Sequence, residues 1–248
     1  MKDKKVSRLL ASARRREILR IVNERKSVTV QEVADILGVS LSTVRNDFNL
    51  LGREGLIYRT HGGALTKEKF NPEYQKSISE FSYAKSKIAK KALEFVEPND
   101  TIFIDSGSTA LAFAEELMVS HISCHVITNS LYIVNALINA ENLTLHVIGG
   151  EFRKRTMNFI DPEPDLGKYG IFKAFIGVSV FDEKGFYVSN LFEARFKKIV
   201  IDVSQNVFML ADASKYGKIS TALIDEWRER YTLITDKRVK ISGRIIIA

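Results

Sequence analysis

The sequence predicts a small α+β domain followed by a larger three-layer α/β domain with a mainly parallel sheet. Three observations point there. Two short helical patterns, each opened by a capping residue, stand either side of Gly38 near the N-terminus. The whole charge excess falls in that same region. Beyond about residue 100, apolar runs of strand length alternate with helical stretches, the pattern of strands joined by crossover helices.

Length and composition bound the reading. At roughly 100–200 residues per domain, 248 residues allow one large domain or two smaller ones. A chain that is 45% hydrophobic and 27% charged is neither disordered nor collagen-like. No apolar run approaches the ~18 residues of a membrane span. The basic, polar segment 1–16 lacks the apolar stretch of a signal peptide. Cys124, the single cysteine, has no internal partner, which suits a reducing compartment. A cytoplasmic protein with no cofactor is expected.

Residues 1–70 hold 15 Lys and Arg against 8 Asp and Glu, whereas residues 71–248 hold 22 of each. The formal net charge of +7 therefore lies in the first segment. Such asymmetry marks either a polyanion partner or a solubilising face. The helix pattern decides between them.

The first helix covers about 13–24, with Ile18, Leu19, Ile21 and Val22 on its apolar side. Thr29 is a helix cap with Glu32 three residues on, as a capping box requires. Val30, Val33, Ala34 and Leu37 then follow helical spacing, and Gly38 stops the helix. Ser40 caps a third helix that buries Val44, Phe48 and Leu51. With about 100° of rotation per residue, Ser42, Asn46, Asn49 and Arg53 face outward, flanked by Thr43 and Arg45. Residues 55–60 read as a strand, and His61-Gly62-Gly63 turns the chain. This is a winged helix-turn-helix, spanning 11–66 with its motif at about 28–47. Short polar and basic residues on the outward face suit base edges and phosphates better than the Glu and Lys of a merely solvated face. The expected partner is duplex DNA. The expected contact set is Thr29, Ser40, Ser42, Thr43, Arg45, Asn46, Asn49, Arg53, Arg59 and His61.

The run Leu41-Ser42-Thr43-Val44-Arg45-Asn46-Asp47-Phe48, with Arg59-Thr60-His61-Gly62-Gly63-Ala64 after it, resembles the DNA-binding domain of DeoR-type bacterial transcription regulators. That family's recognition helix usually reads Thr-Ile-Arg-Arg-Asp-Leu. Asn46 stands at the second Arg, which removes a guanine or phosphate contact and offers an adenine reader.

Residues 67–84 read as a linker, partly helical from about Tyr74. The family often has an Arg about eight residues before the Lys that matches Lys85; here that position is Ser77, so that contact is absent or taken by neighbouring Lys76. From 85 to 248 the expected strands are 101–104, 126–128, 143–148, 174–180, 207–211, 233–235 and 245–247. The expected helices are 86–96, 109–118, 131–139 and 193–204. Several of these strands are apolar on successive residues, as strands buried on both faces are.

Three loops follow strands. Asp105-Ser106-Gly107-Ser108-Thr109 opens a helix with small hydroxyl residues around a glycine, a setting that favours an anion. Thr128-Asn129-Ser130 opens another helix. Gly149-Gly150 precedes Arg153, Lys154 and Arg155, which suit a charged ligand. Ligands of open α/β sheets bind at such strand ends.

These loops, together with Lys173-Ala174-Phe175-Ile176-Gly177, Glu193 with Lys197, and 211–217, resemble the sensor domain of the same family. The resemblance implies a fold similar to ribose-5-phosphate isomerase, a phosphorylated sugar or related metabolite as effector, and repression relieved by it. It implies that Ser106, Gly107, Ser108 and Thr109 hold the phosphate. Asp105, Thr128, Asn129, Ser130, Gly149, Gly150, Arg153, Lys173, Glu193, Lys197, Asp212 and Lys215 then line or support the sugar side. A homo-oligomer, dimer or tetramer, is expected on a repeated operator.

The sequence departs from the family at Asp161, where a Gly is common, with Glu163 and Asp165 close behind, and at Phe172, where an Asp is common. Either the ligand is amino-substituted or this acidic loop faces solvent; the second reading is preferred. His121, Cys124, His125 and His146 carry zinc-binding groups, but adjacent strand residues point to opposite faces, so no metal is assigned. A sugar-phosphate isomerase with an accessory DNA-binding domain is the alternative function, and fold alone does not decide it.

Overall fold

The computed structural model describes residues 11–25, 27–54, 56–60, 62–66, 77 and 80–248. The chain divides into two compact units, with the division between Lys69 and Phe70.

The first unit runs α1 (Ala11–Arg25), β1 (Ser27–Thr29), α2 (Val30–Leu37), α3 (Leu41–Arg53), β2 (Ile57–Arg59) and β3 (Gly63–Thr66). The Thr29 hydroxyl accepts from the Glu32 amide, and the Glu32 carboxylate accepts from the Thr29 amide at 2.7 Å. Two amides that a helix start leaves orphaned are thus satisfied. Gly38 closes α2 in the left-handed region, and the Ser40 hydroxyl accepts from the Thr43 amide to open α3. Ile18, Val22, Val33, Leu37, Val44, Phe48 and Leu51 share one core. Asp47 joins the buried side of α3, held by Arg14 of α1 at 2.6 Å.

The sequence predicts one strand after α3, and the structure has two more. The antiparallel order is β1-β3-β2. β1 has three residues, too few to carry a period. Gly63 opposes it so closely that a Cβ would stand 2.0 Å from the Val28 carbonyl oxygen, so only glycine fits.

The second unit contains α4 (Ser82–Leu93), β4 (Thr101–Ile104), α5 (Ser108–Ser120), β5 (Cys124–Thr128), α6 (Leu131–Leu137), β6 (Leu143–Val147), β7 (Glu151–Arg153), β8 (Asn158–Ile160), β9 (Lys173–Gly177), β10 (Val180–Phe181) and β11 (Gly185–Val188). It continues with α7 (Leu191–Val203), β12 (Asn206–Leu210), β13 (Ala222–Glu226), β14 (Tyr231–Thr235) and β15 (Arg244–Ile247). Seven strands make one parallel sheet in the order β15-β14-β12-β9-β4-β5-β6. They are the seven apolar runs of the sequence. Residues of α4, α5 and α6 pack in a core on one face, with Ile102, Ile104, Phe175 and Phe208. Those of α7 and the smaller sheet β10-β11-β13 pack with Phe103, Ala174, Ile176 and Met209 on the other. These are the three layers expected of an α/β domain.

Two expectations need correction. The run 174–180 is not one strand: it breaks after Gly177, and Val180 starts the antiparallel β10 of the second sheet. The hairpin β7–β8 was not foreseen, because its strands have three residues each.

Candidate functional site

The buried side of α3 fixes its exposed side. Ser42, Arg45, Asn46, Asn49 and Arg53 are exposed, and Thr43 is half-buried. Arg59 on β2 is exposed too, with its stem against Gly52. Thr29 and Ser40 are exposed but engaged as caps; the Ser40 hydroxyl lies 2.8 Å from those of Ser42 and Thr43. They order the two helix N-termini, where backbone amides and the helix dipole favour a phosphate. His61 lies outside the described residues.

The second unit places its loops at a switch point. The chain leaves β4 toward β5 and β6, then returns to β9 on the other side of β4. Such a point is where an open α/β sheet forms its binding crevice. Here the Gly177 amide donates to Asp105 Oδ2 at 2.8 Å. Lys197 reaches the same carboxylate from α7, donates to the Gly177 carbonyl at 2.8 Å, and stands 3.3 Å from Glu193 Oε1. Asp105 and Lys197 are each 1% exposed and Glu193 is half-buried, so two carboxylates compete for one buried ammonium. Burial lifts the Asp105 carboxyl above its ordinary range, Lys197 pulls against that, and Glu193 adds to the rise. Burial pulls Lys197 down, but Asp105 and Glu193 together outweigh it and hold its pKa above the ordinary value.

Gly107 sits at φ 129°, a region that side chains disfavour, and turns the chain into α5. Asn158 of β8 donates to the Ser106 hydroxyl at 3.0 Å. Asn129 donates its side-chain amide to the Phe159 carbonyl at 2.8 Å. Thus β8 ties the loops after β4 and β5 together. Thr128 accepts from the Ser130 amide at 3.1 Å, and Ser130 caps α6. Three buried oxygens around these loops, Asp105 Oδ1, Thr109 Oγ1 and Asn129 Oδ1, have no hydrogen-bond partner among the described residues. Buried polar groups of this kind are costly unless something binds them.

A cavity of about 350 Å³ adjoins, lined in part by Arg153, Lys154, Arg155, Asn158, Asn190 and Glu193. The Arg153 guanidinium lies over the Phe192 ring, 5.0 Å from its centroid. Gly149 and Gly150 carry the chain into β7, where a Cβ on Gly150 would clash with the Ile160 backbone. After β12, Asp212 accepts from the Ser214 amide at 3.2 Å, and Lys215 donates to the Val178 carbonyl at 2.9 Å. Burial pushes Lys215 down to about 8; Asp212 opposes the fall, while Lys85, Lys197 and Lys218 deepen it.

Lys173 does not join this group. It begins β9 rather than ending it, and its ammonium meets Asp100 at 2.7 Å at the N-terminal end of the sheet. A parallel strand brings only its C-terminal end to the crevice, and that end is Gly177. The acidic loop is largely a surface feature: Glu163 pairs with Arg195 at 3.3 Å and Asp165 with Lys168 at 3.6 Å, all four exposed. Cys124 is buried and His125 exposed, as opposite faces of a strand require. Asn158 and Asn190 are absent from the expected contact set, Asn158 because its hairpin rests on strands of three residues each.

Residues 14–70 match the DeoR-like helix-turn-helix domain, and residues 80–237 match the DeoR C terminal sensor domain. The chain belongs to the DeoR family. It is 33% identical to the lactose phosphotransferase system repressor of Staphylococcus epidermidis, covering 89% of this chain and 90% of that one. It is 32% identical to the L-fucose operon activator of Haemophilus influenzae, over 89% and 90%. It is 31% identical to the glycerol-3-phosphate regulon repressor of Escherichia coli, over 81% of each. The DeoR-family chain thus joins a helix-turn-helix DNA-binding domain to a sensor domain, and these relatives are named as operon regulators. A solved ribose 5-phosphate isomerase of Methanocaldococcus jannaschii aligns over 53% of each chain, at 22% identity and a TM-score of 0.40. That likeness is too slight to speak of chemistry. Among the described residues no helix is long and apolar enough to cross a membrane.

Proposed function

We propose that this DeoR-family regulator represses a carbohydrate or related metabolic operon and that a phosphorylated sugar in the second unit relieves the repression. Arg45, Arg53 and Arg59 supply phosphate contacts on operator DNA, and Ser42, Thr43 and Asn46 read bases. The protein acts in the cytoplasm as a homo-oligomer, which presents recognition helices to repeated half-sites.

One observation carries the ligand side: the orphaned oxygens of Asp105, Thr109 and Asn129, at the foot of the α5 N-terminus. The helix end favours an anion. The orphaned acceptors require hydroxyl donors. A molecule with a phosphoryl group at one end and hydroxyls along the rest meets both demands. Relatives named for a lactose phosphotransferase system and a glycerol-3-phosphate regulon agree with that class.

The ligand shifts the equilibrium only by binding one DNA-competence state better than the other. The test is a thermal-shift screen of sugar phosphates on the whole chain, followed by operator binding with each hit. At 100 times its Kd, a true effector stabilises the protein by roughly 2.7 kcal/mol and releases DNA. Ser108→Asp places a fixed negative charge in the phosphate position; it abolishes the response and leaves DNA binding intact. A variant that still releases DNA on adding the hit would sink this placement.

A further inference from the structure

Two histidines of the large sheet serve neither the DNA-binding face nor the crevice. Adjacent residues of a strand face opposite ways, and on β5 this sends Cys124 into the core while His125 stays exposed. The register of the next strand brings a different partner alongside. β5 and β6 pair in parallel, with His125 opposite Thr144 and Ile127 opposite His146. Residues two apart on a strand share a face, so His125, Thr144 and His146 lie together on neighbouring strands. The two imidazole rings stand 6.3 Å apart, centre to centre, with 28° between their planes. Tyr169, from the short turn Gly167–Tyr169, lays its ring against His146 at 5.7 Å. His125 and Thr144 are exposed and His146 is half-buried. β6 is the last strand on its side of the sheet, so no further strand closes over the two rings.

From this geometry we infer that His125 and His146 together bind a divalent transition-metal ion of the zinc class and so bridge β5 to the edge strand β6. Imidazole suits zinc, copper and nickel, whereas magnesium and calcium take oxygen ligands. An imidazole nitrogen bonds zinc at about 2.0–2.1 Å, which puts two ring centres about 5–6 Å apart around one ion. The observed spacing reaches that range with a small rotation of the two side chains. Neither imidazole makes a hydrogen bond among the described residues, so its nitrogens compete with no protein partner. No third His, Cys, Asp or Glu joins them to make a group of three among the described residues. Water therefore fills the remaining positions, and the ion binds reversibly, unlike a structural zinc with four protein ligands. An edge strand has a backbone ladder on one side only, so a side-chain tie matters most there. β5 and β6 lead into Thr128-Asn129-Ser130 and Gly149-Gly150, so the tied strands are those that carry two of the crevice loops. The inference does not depend on what the crevice binds.

The experiment titrates the full chain, without any histidine tag, with zinc ion in a calorimeter and uses copper(II) as the spectroscopic probe. His125→Ala and His146→Ala each weaken zinc binding at least about tenfold, since loss of a mere outer partner of a metal ligand already costs about 10–100-fold. His121→Ala, at the end of α5, binds as the native chain does. The electron paramagnetic resonance spectrum of the copper-loaded native chain shows two nitrogen ligands, and that of either strand variant shows one. Amide hydrogen exchange at 143–147 slows on adding zinc to the native chain and is unmoved by zinc in His125→Ala. That variant decides the matter should His146→Ala fail to fold, because His125 is exposed and its loss leaves the core intact. Native-like zinc affinity in His125→Ala overturns the inference, as does an equal loss in His121→Ala. A copper spectrum that keeps both nitrogens without His125 overturns it too, and so does bound zinc that leaves exchange at 143–147 unchanged.

Discussion

Asn158 donates its side-chain amide to the Ser106 hydroxyl at 3.0 Å, across 52 residues of sequence and with both residues buried. The hairpin that carries Asn158 thereby fixes the rotamer of a residue in the proposed phosphate loop. Asn158→Asp retains the shape but replaces two N–H donors with a carboxylate. Placed against an anion site, that charge opposes the ligand. The variant is expected to lose effector binding by at least about tenfold, while its DNA affinity without effector stays native. Equal effector affinity in titrations of the two proteins would remove Ser106 from the phosphate site.

The Asp105–Lys197–Glu193 group makes an asymmetric prediction about stability. Lys197 serves two carboxylates, so Lys197→Met leaves both without their cation. Removing one partner of a buried pair costs about 3–5 kcal/mol, and this is the expected loss in urea unfolding of the second unit. Asp105→Asn costs less, because Glu193 still pairs with Lys197 and the amide still accepts from Gly177. A reversed order, with Asp105→Asn the worse, would show that the Gly177 contact and not the shared ammonium holds the crevice together.

These two groups also show what the sequence reveals and what it conceals. Most strands of the large sheet are apolar on successive residues and β6 alternates, so the pattern of apolar residues found all seven. The helix-turn-helix was legible because Thr29, Glu32, Gly38 and Ser40 are local signals, each acting within four residues. Asn158 was not, since it reaches Ser106 only once two three-residue strands have paired. Lys173 misled for the converse reason. Proximity in a motif says nothing about which end of a strand a side chain occupies, and Lys173 stands at the wrong end, on Asp100. The sequence matches Ser77 and Lys85 to two family positions but does not show that they touch, because the contact runs through a backbone carbonyl, which every residue type supplies.

Lys215 should give effector binding a pH dependence whose sign is opposite to its effect on stability. Its pKa is pushed down to about 8, chiefly by burial. An anionic ligand needs the protonated amine, so affinity falls as pH rises through 8, by up to about tenfold per unit well above that value. Folding responds the other way. Between about 8 and the ordinary value of 10.5, the unfolded chain keeps a proton that the folded chain has released, so stability from this group rises with pH. Lys215→Met removes both trends. Titrations at pH 7, 8 and 9 with native and variant protein separate them; parallel pH profiles for the two would mean that Lys215 neither meets the ligand nor titrates in this range.

On the proposed reading the outward face of α3 makes two kinds of contact, and their variants should behave differently on DNA. Arg45 is exposed and carries a long charged side chain, the usual phosphate partner. Arg45→Ala is expected to weaken binding to operator and unrelated duplex alike, and to lower the slope of log affinity against log salt by about 1. Asn46, also exposed, is short and offers one donor and one acceptor side by side, the pairing suited to adenine. Asn46→Ala should leave unrelated DNA and the salt slope untouched while costing about 1–3 kcal/mol at the operator. Fluorescence anisotropy with both duplexes, at two salt concentrations, measures all four numbers. The division depends on the helix being held rigidly by its buried side, where Arg14 clamps Asp47 between Val44 and Phe48. A loss of operator specificity in Arg45→Ala with its salt slope intact would move Arg45 from the backbone to a base edge, and would leave Arg53 and Arg59 as the phosphate contacts.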